Sequence, residues 1–141
     1  MSETNQPSTE LKALDRLVGA WAVTGGAEGT VRYEWMPGRF FLMQHVKLTQ
    51  FGEPVTGLEL IGNLRPFGEP AGAEVVSRYY DSNGNTFDYV YELIGDKLII
   101  WAGVKGSPAY YEGVFSADGL TATGDWVYPD GGGYTSTMTR I

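Results

Sequence analysis

The chain has no cysteine and a single histidine, His45. The first absence removes disulfides, thiolate catalysis and cysteine-bound metal. The second removes every metal site that needs two imidazoles, including the H-E-x-x-H type. No apolar run approaches the roughly 20 residues that a membrane-spanning helix needs. Positive charge is scarce as well: 10 lysines and arginines face 17 aspartates and glutamates, for a net charge of −7, and no basic cluster occurs. Nucleic acids and anionic membranes draw their protein partners through such clusters, so neither is expected as a partner. The opening "MSETNQPSTE" lacks the basic-then-apolar signature of a secretory leader, and a cytoplasmic location is the expectation. No G-x-G-x-x-G or P-loop pattern is found, nothing points to a nucleotide, and neither cofactor nor metal is expected.

What the chain does have is glycine and tyrosine, 20 and 9 residues among 141. Residues 1–7 are polar and read as a disordered tail; residues 8–141 read as one domain. In "STELKALDRLV" the residues Leu11, Leu14, Leu17 and Val18 recur at helical spacing, with Ser8 or Thr9 as N-cap and Glu10 near the positive helix end. This predicts one short helix, stopped near Gly19. Beyond it come about ten strand-like runs, near 20–25, 29–36, 39–49, 55–65, 73–81, 85–93, 96–104, 109–116, 120–128 and 133–141, separated by turns such as "MPGR", "DSNGN", "IGDK" and "PDGGG". Breaks this short favour antiparallel neighbours. The fold class expected is all-β: an up-and-down antiparallel barrel of about ten strands with a short N-terminal helix, an open sandwich being the alternative.

Side chains alternate between the two faces of a strand, so the charges can be used to sort them. Val31, Tyr33 and Trp35 fall opposite Arg32 and Glu34. Val75, Ser77 and Tyr79 oppose Glu74 and Arg78; Phe87, Tyr89, Tyr91 and Leu93 oppose Asp88 and Glu92. Leu98 and Ile100 oppose Lys97, Tyr111 and Phe115 oppose Glu112, and Ala122, Trp126 and Tyr128 oppose Asp125. In "VTGLELIGNLR" the same rule takes Thr56, Leu58, Leu60 and Leu64 inward and leaves Glu59, Asn63 and Arg65 outside. The expected interior is apolar, aromatic and charge-poor, with tyrosine hydroxyls, Ser77 and Ser136 as its polar points. In "FFLMQHVKLTQ" the face of Phe40, Leu42, Gln44, Val46 and Leu48 is the more apolar, which turns Gln44 inward and His45 outward; one β-bulge would reverse them. Several apolar residues then point outward, namely Phe41, Met43, Ile61, Val76, Tyr80, Val90, Ile99 and Trp101, and a contiguous patch of them would serve a homodimer.

"LVGAW" at the head of the first strand and "TMTRI" in the last carry a Gly19-x-Trp21 and an Arg140. This resembles the calycin superfamily of lipocalins and fatty-acid-binding proteins, in which the tryptophan plugs the barrel base and the arginine packs across it. "YEWMPGRFF", "GLELIGNLRPFG" and "YYDSNG" are similar to the bacterial lipocalin-like proteins of the DUF1579 type. The resemblance implies a calycin-like barrel and no common activity. Related nitrobindin-like barrels hold haem through a histidine in a late strand; here no histidine follows position 45, and haem is not expected.

Two functions follow as expectations. In the first, Tyr33, Trp35, Gln44, Tyr79, Tyr89, Tyr91, Tyr111 and Trp126, with His45 if it turns inward, line a cavity that binds a small hydrophobic or aromatic molecule. Solid packing of the same rings is the competing reading, but ten strands enclose more volume than side chains readily fill. In the second, the chain is a cofactor-free enzyme, a cyclase or isomerase, that uses pocket shape and a tyrosine hydroxyl or His45. A Ser-His-Asp triad could be built only on His45, and no nucleophile-elbow sequence accompanies it.

Overall fold

A computed structural model of the chain describes residues 5–141. Part of the tail expected to be disordered, residues 1–4, lies outside the described residues. Its remainder makes contacts: Asn5 accepts a hydrogen bond from Arg65, and Gln6 one from Lys12. Among the described residues no helix is long and apolar enough to cross a membrane.

The N-terminal helix has two parts, α1 (Thr9–Lys12) and a 3₁₀ turn over Ala13–Leu17. Ser8 is the cap, its hydroxyl accepting from the Leu11 amide at 3.0 Å. The tightening has a cause in the sequence. Leu11, Leu14 and Leu17 are spaced by three residues, and a 3₁₀ helix stacks every third side chain on one line. All three are at most 2 % exposed.

Ten strands follow: β1 (Gly19–Gly25), β2 (Ala27–Trp35), β3 (Phe41–Gln50), β4 (Glu53–Asn63), β5 (Val75–Asp81), β6 (Thr86–Ile94), β7 (Lys97–Ala102), β8 (Tyr110–Phe115), β9 (Thr121–Val127) and β10 (Tyr134–Arg140). Each pairs antiparallel with its neighbours in sequence, and β1 pairs with β10, so the sheet is a closed up-and-down barrel. Closure leaves no strand edge unpaired. The turns show why the short polar breaks suffice: in "DSNGN" the Asp81 carboxylate accepts from the amides of Asn83 and Asn85, both at 2.9 Å.

The closing seam is also the base of the barrel. Trp21 is fully buried and donates its indole N–H to the Leu17 carbonyl at 2.8 Å, which ties the plug helix to β1. The Arg140 guanidinium lies 4.1 Å from the centre of the Trp21 ring and donates to the carbonyls of Arg16, Val18 and Gly119. Gly19 makes room for it. A Cβ there would meet Arg140 Nη1 at 2.7 Å, and the φ of +123° disfavours any larger residue. A second cation–ring contact, Arg16 over Phe115 at 4.1 Å, completes the base. With Leu42 and Ile61, both fully buried, these residues form the core of the lower half.

Trp21→Ala is expected to cost about 3–5 kcal/mol of folding stability, the range for emptying a buried aromatic site. Urea denaturation followed by circular dichroism measures it, and a loss below about 1 kcal/mol would show that the plug is not the keystone described.

Candidate functional site

Two clefts, of about 180 and 230 Å³, lie at the plugged end, one beside Trp35 and one between Leu14 and the strands β5 and β6; the aromatic residues gather at the other end, where the turns β1–β2, β3–β4, β5–β6, β7–β8 and β9–β10 meet. Aromatic rings crowd this mouth. Tyr79 stacks on Phe87 with centroids 6.2 Å apart, Phe87 neighbours Tyr89 at 6.5 Å, and Tyr89 meets Trp126 at 5.9 Å. Trp126 in turn contacts Tyr111 at 5.4 Å and Tyr128 at 6.3 Å. Across the opening, Phe51 meets Tyr134 edge-on at 5.9 Å, and Gln50 donates to the Tyr134 hydroxyl at 2.8 Å. Tyr79, Tyr89, Trp126, Tyr128 and Tyr134 are only half-buried, and Phe51 and Phe87 are exposed. The rings lie flat because glycines face them: a Cβ on Gly57 would strike the Tyr79 hydroxyl, and one on Gly113 the Tyr111 hydroxyl.

Below the rim sits a carboxylate. Cross-strand partners share a face, and Glu59 stands between Gln44 of β3 and Tyr79 of β5, both interior. Glu59 is therefore inside, 4 % exposed, and this corrects the expectation that put it with the outward charges. Ser77 donates its hydroxyl to Glu59 Oε2 at 2.6 Å, and the Tyr91 hydroxyl lies 2.9 and 2.8 Å from Oε1 and Oε2. The whole of β4 is reversed with it. Ile61 is fully buried, not outward, and Leu58 and Leu60 lie half-buried on the outer face opposite Tyr80 and Met43, while Asn63 turns in toward Ser8 at the base. The interior is tyrosine-rich as expected but is not free of charge.

Burial raises the Glu59 pKa from its ordinary value, because desolvation penalises the ion more than the hydrogen bonds from Ser77 and Tyr91 favour it. The same desolvation, with the Glu59 charge adding to it, pushes the Tyr33, Tyr89 and Tyr91 hydroxyls up and that of Tyr79 to about 12. All four rings lie within electrostatic reach of Glu59. All four stay protonated at neutral pH, as donors.

The other residues expected at the site divide by position. Gln44 is interior and donates its amide to the Tyr33 hydroxyl at 2.6 Å. Tyr33, Tyr91 and Tyr111 are buried, Tyr111 with a pKa of about 12 through desolvation. Trp35 is at the opposite end, its indole N–H bonded to Asp15 at 2.7 Å beside a cleft shared with Lys12, Gly38 and Arg39. His45 is on the outer face: its Nε2 is 2.7 Å from Glu34 Oε2, which also pairs with Arg32 at 2.9 Å. The strand carries no bulge there, every residue from Phe41 to Gln50 having a partner on β4. No group of side chains among the described residues is arranged to hold a metal ion.

Sequence reasoning passed over Glu59, Phe51 and Tyr134. The first had a signal: Gly57, two residues before it, is the small residue that a tyrosine on the next strand needs on the inner face. No protein-family model matches the chain, and no curated protein is similar enough to it to name a relative.

Since Glu59 holds its proton more tightly in the folded state, folding stability falls as pH rises from about 4.5, its ordinary value, through the raised one. Glu34, Asp81, Asp88, Glu92 and Asp118 are pulled down by their partners and act on the other side: their contribution is lost as pH falls through their lowered values. Glu59→Gln is expected to remove a slope of up to about 1.4 kcal/mol per pH unit above pH 4.5. Urea denaturation at pH 4.5 to 8 reads it; parallel curves for the two proteins would show that Glu59 does not titrate abnormally.

Proposed function

We propose that the protein binds a small aromatic or apolar molecule at the mouth of a lipocalin-like barrel. One observation carries the reading: half-exposed aromatic rings gather at one end of a barrel whose other end is plugged by the helix, Trp21 and Arg140, with a buried polar Glu59–Ser77–Tyr91 group among them. Flat rings supply apolar area, and a few convergent polar atoms at the bottom orient what enters. The Gly19, Trp21 and Arg140 arrangement at the base supports the likeness to calycin barrels, and through it to the DUF1579-type proteins.

N-phenyl-1-naphthylamine, an uncharged dye that brightens in apolar surroundings, is expected to bind saturably at one site. Trp126→Ala or Tyr89→Ala should weaken it about tenfold, a loss of the order that one large aromatic contact supplies. Trp101→Ala, on the outer face, should leave it unchanged. Absence of saturable binding, or equal losses in all three variants, would overturn the reading.

The alternative of a cofactor-free enzyme has its own support, and it moves from His45 to Glu59. A buried carboxyl whose pKa is raised by desolvation, with a tyrosine hydroxyl bonded to it, is a candidate for proton transfer. As the anion it takes a proton α to a carbonyl, and the Tyr91 or Tyr33 hydroxyl hydrogen-bonds the enolate oxygen formed; returning the proton completes the cycle. In deuterium oxide the protein should accelerate exchange of the methylene hydrogens of phenylacetone, followed by proton NMR, and Glu59→Gln should abolish the effect. An unaccelerated exchange would remove carbonyl proton transfer from consideration.

A further inference from the structure

Glu59 has no cationic partner. No lysine, arginine or histidine among the described residues lies within ion-pairing distance of it, and its only close polar contacts are the hydroxyls of Ser77 and Tyr91. Six of the cations are committed elsewhere. Arg140 and Arg16 are held at the base by backbone carbonyls, Asp96 and aromatic rings. Arg32, His45, Arg78 and Lys105 pair with acids on the outer surface. A buried carboxylate is stable only when paired or fully hydrogen-bonded. Two hydroxyl donors leave part of its capacity unused, since an ionised carboxylate offers about four lone-pair sites.

Gln44 on β3 is the register partner of Glu59, and the other groups around it are, besides Ser77, tyrosines: Tyr79 on β5, Tyr91 on β6 and, within electrostatic reach, Tyr33 on β2 and Tyr89 on β6. Their ring faces attract cations, as does the indole of Trp126 next to Tyr89. The net charge of −7 favours approach of a cation over that of an anion. An uncharged guest leaves the carboxyl as it is, and an anionic one is repelled by it. A protonated amine satisfies both the carboxylate and the rings.

We propose that the molecule taken up at the mouth is a small amine, an aromatic or apolar body bearing one ammonium group, and that Glu59 is its counter-ion. The inference rests on the mouth being a binding site and adds the chemical class of its ligand.

Three compounds of one shape separate the possibilities: 2-phenylethylamine, 2-phenylethanol and phenylacetate, titrated into the full chain at pH 7.5 by calorimetry or by two-dimensional NMR. The amine is expected to bind at least about tenfold more tightly than the alcohol, the advantage of one charge-assisted contact, and phenylacetate more weakly than both. Glu59→Gln should bring the amine down to the level of the alcohol, leaving the two affinities within about twofold of each other. Trp101→Ala, on the outer face, should retain the preference for the amine. In the wild-type protein alone, alcohol binding equal to or tighter than amine binding overturns the inference, whatever the variants do. Refusal of all three compounds by a protein that still binds N-phenyl-1-naphthylamine also overturns it and leaves the binding site standing; refusal of the dye as well removes both.

Discussion

The pairing of β1 with β10 is the contact on which the rest of the molecule depends. Ten strands in sequence order form a curled sheet with two bare edges until the first and last meet, and the meeting is held at its lower end by Arg140 stacked on Trp21. The same guanidinium reaches back to the carbonyls of Arg16 and Val18, so the seam and the plug helix are secured by one side chain. Charge delocalised over a planar group suits that position, where ring and carbonyls must be satisfied together; a lysine ammonium would serve only one of them. Plugging one end gives the barrel its polarity. The half-exposed rings gather at the other end.

A barrel of this width has more interior than aliphatic side chains can fill, and the chain meets the excess with tyrosine laid on glycine. Tyr79 over Gly57 and Tyr111 beside Gly113 and Gly124 lie against the wall without projecting across the lumen. Each ring covers wall area while its hydroxyl stays available, which is why hydroxyls, amides and one carboxyl can coexist there: Gln44 with Tyr33, Gln50 with Tyr134, Ser77 and Tyr91 with Glu59. Among the described residues no fully buried side-chain nitrogen or oxygen lacks a hydrogen-bond partner. A polar interior satisfied to that degree is compatible with a stable core.

Strand number, strand order and most facings could be read from the alternation because charge and apolarity agree in those strands. Val31–Tyr33–Trp35, Val75–Ser77–Tyr79 and Tyr89–Tyr91–Leu93 all fall inside as their outward partners Arg32, Arg78 and Glu92 require. Gln44 came out inward and His45 outward for the same reason, and the register of β3 on β2 holds His45 next to Arg32. In β4 the two signals conflict. Two leucines flank one glutamate, so any rule that weighs hydrophobicity residue by residue turns Glu59 out, whereas the register is set by the partner strands. The rim was only half legible: Tyr89 and Trp126 sit in clear alternation, but Phe51 belongs to a turn, where alternation carries no information.

The facing of β4 bears on why Glu59 is where it is. With Leu58 and Leu60 inward, the strand would bury two leucines in exchange for Ile61, a net gain of one aliphatic side chain stabilising by about 1.5–3 kcal/mol if the burial were complete, and would leave the carboxylate in water. The observed facing forgoes part of that, because both leucines are already half-covered outside, and it also desolvates a carboxyl. What opposes the exchange is local and sterically specific. Gly57 must face inward for the Tyr79 ring to lie flat, and since facing alternates strictly, Glu59 and Ile61 must follow it inward. A single aliphatic residue at position 59 would satisfy the same geometry without a buried charge. A chain shaped by stability alone would place one there; the glutamate, held by two hydroxyls beneath a ring of aromatic faces, is the feature that stability does not explain.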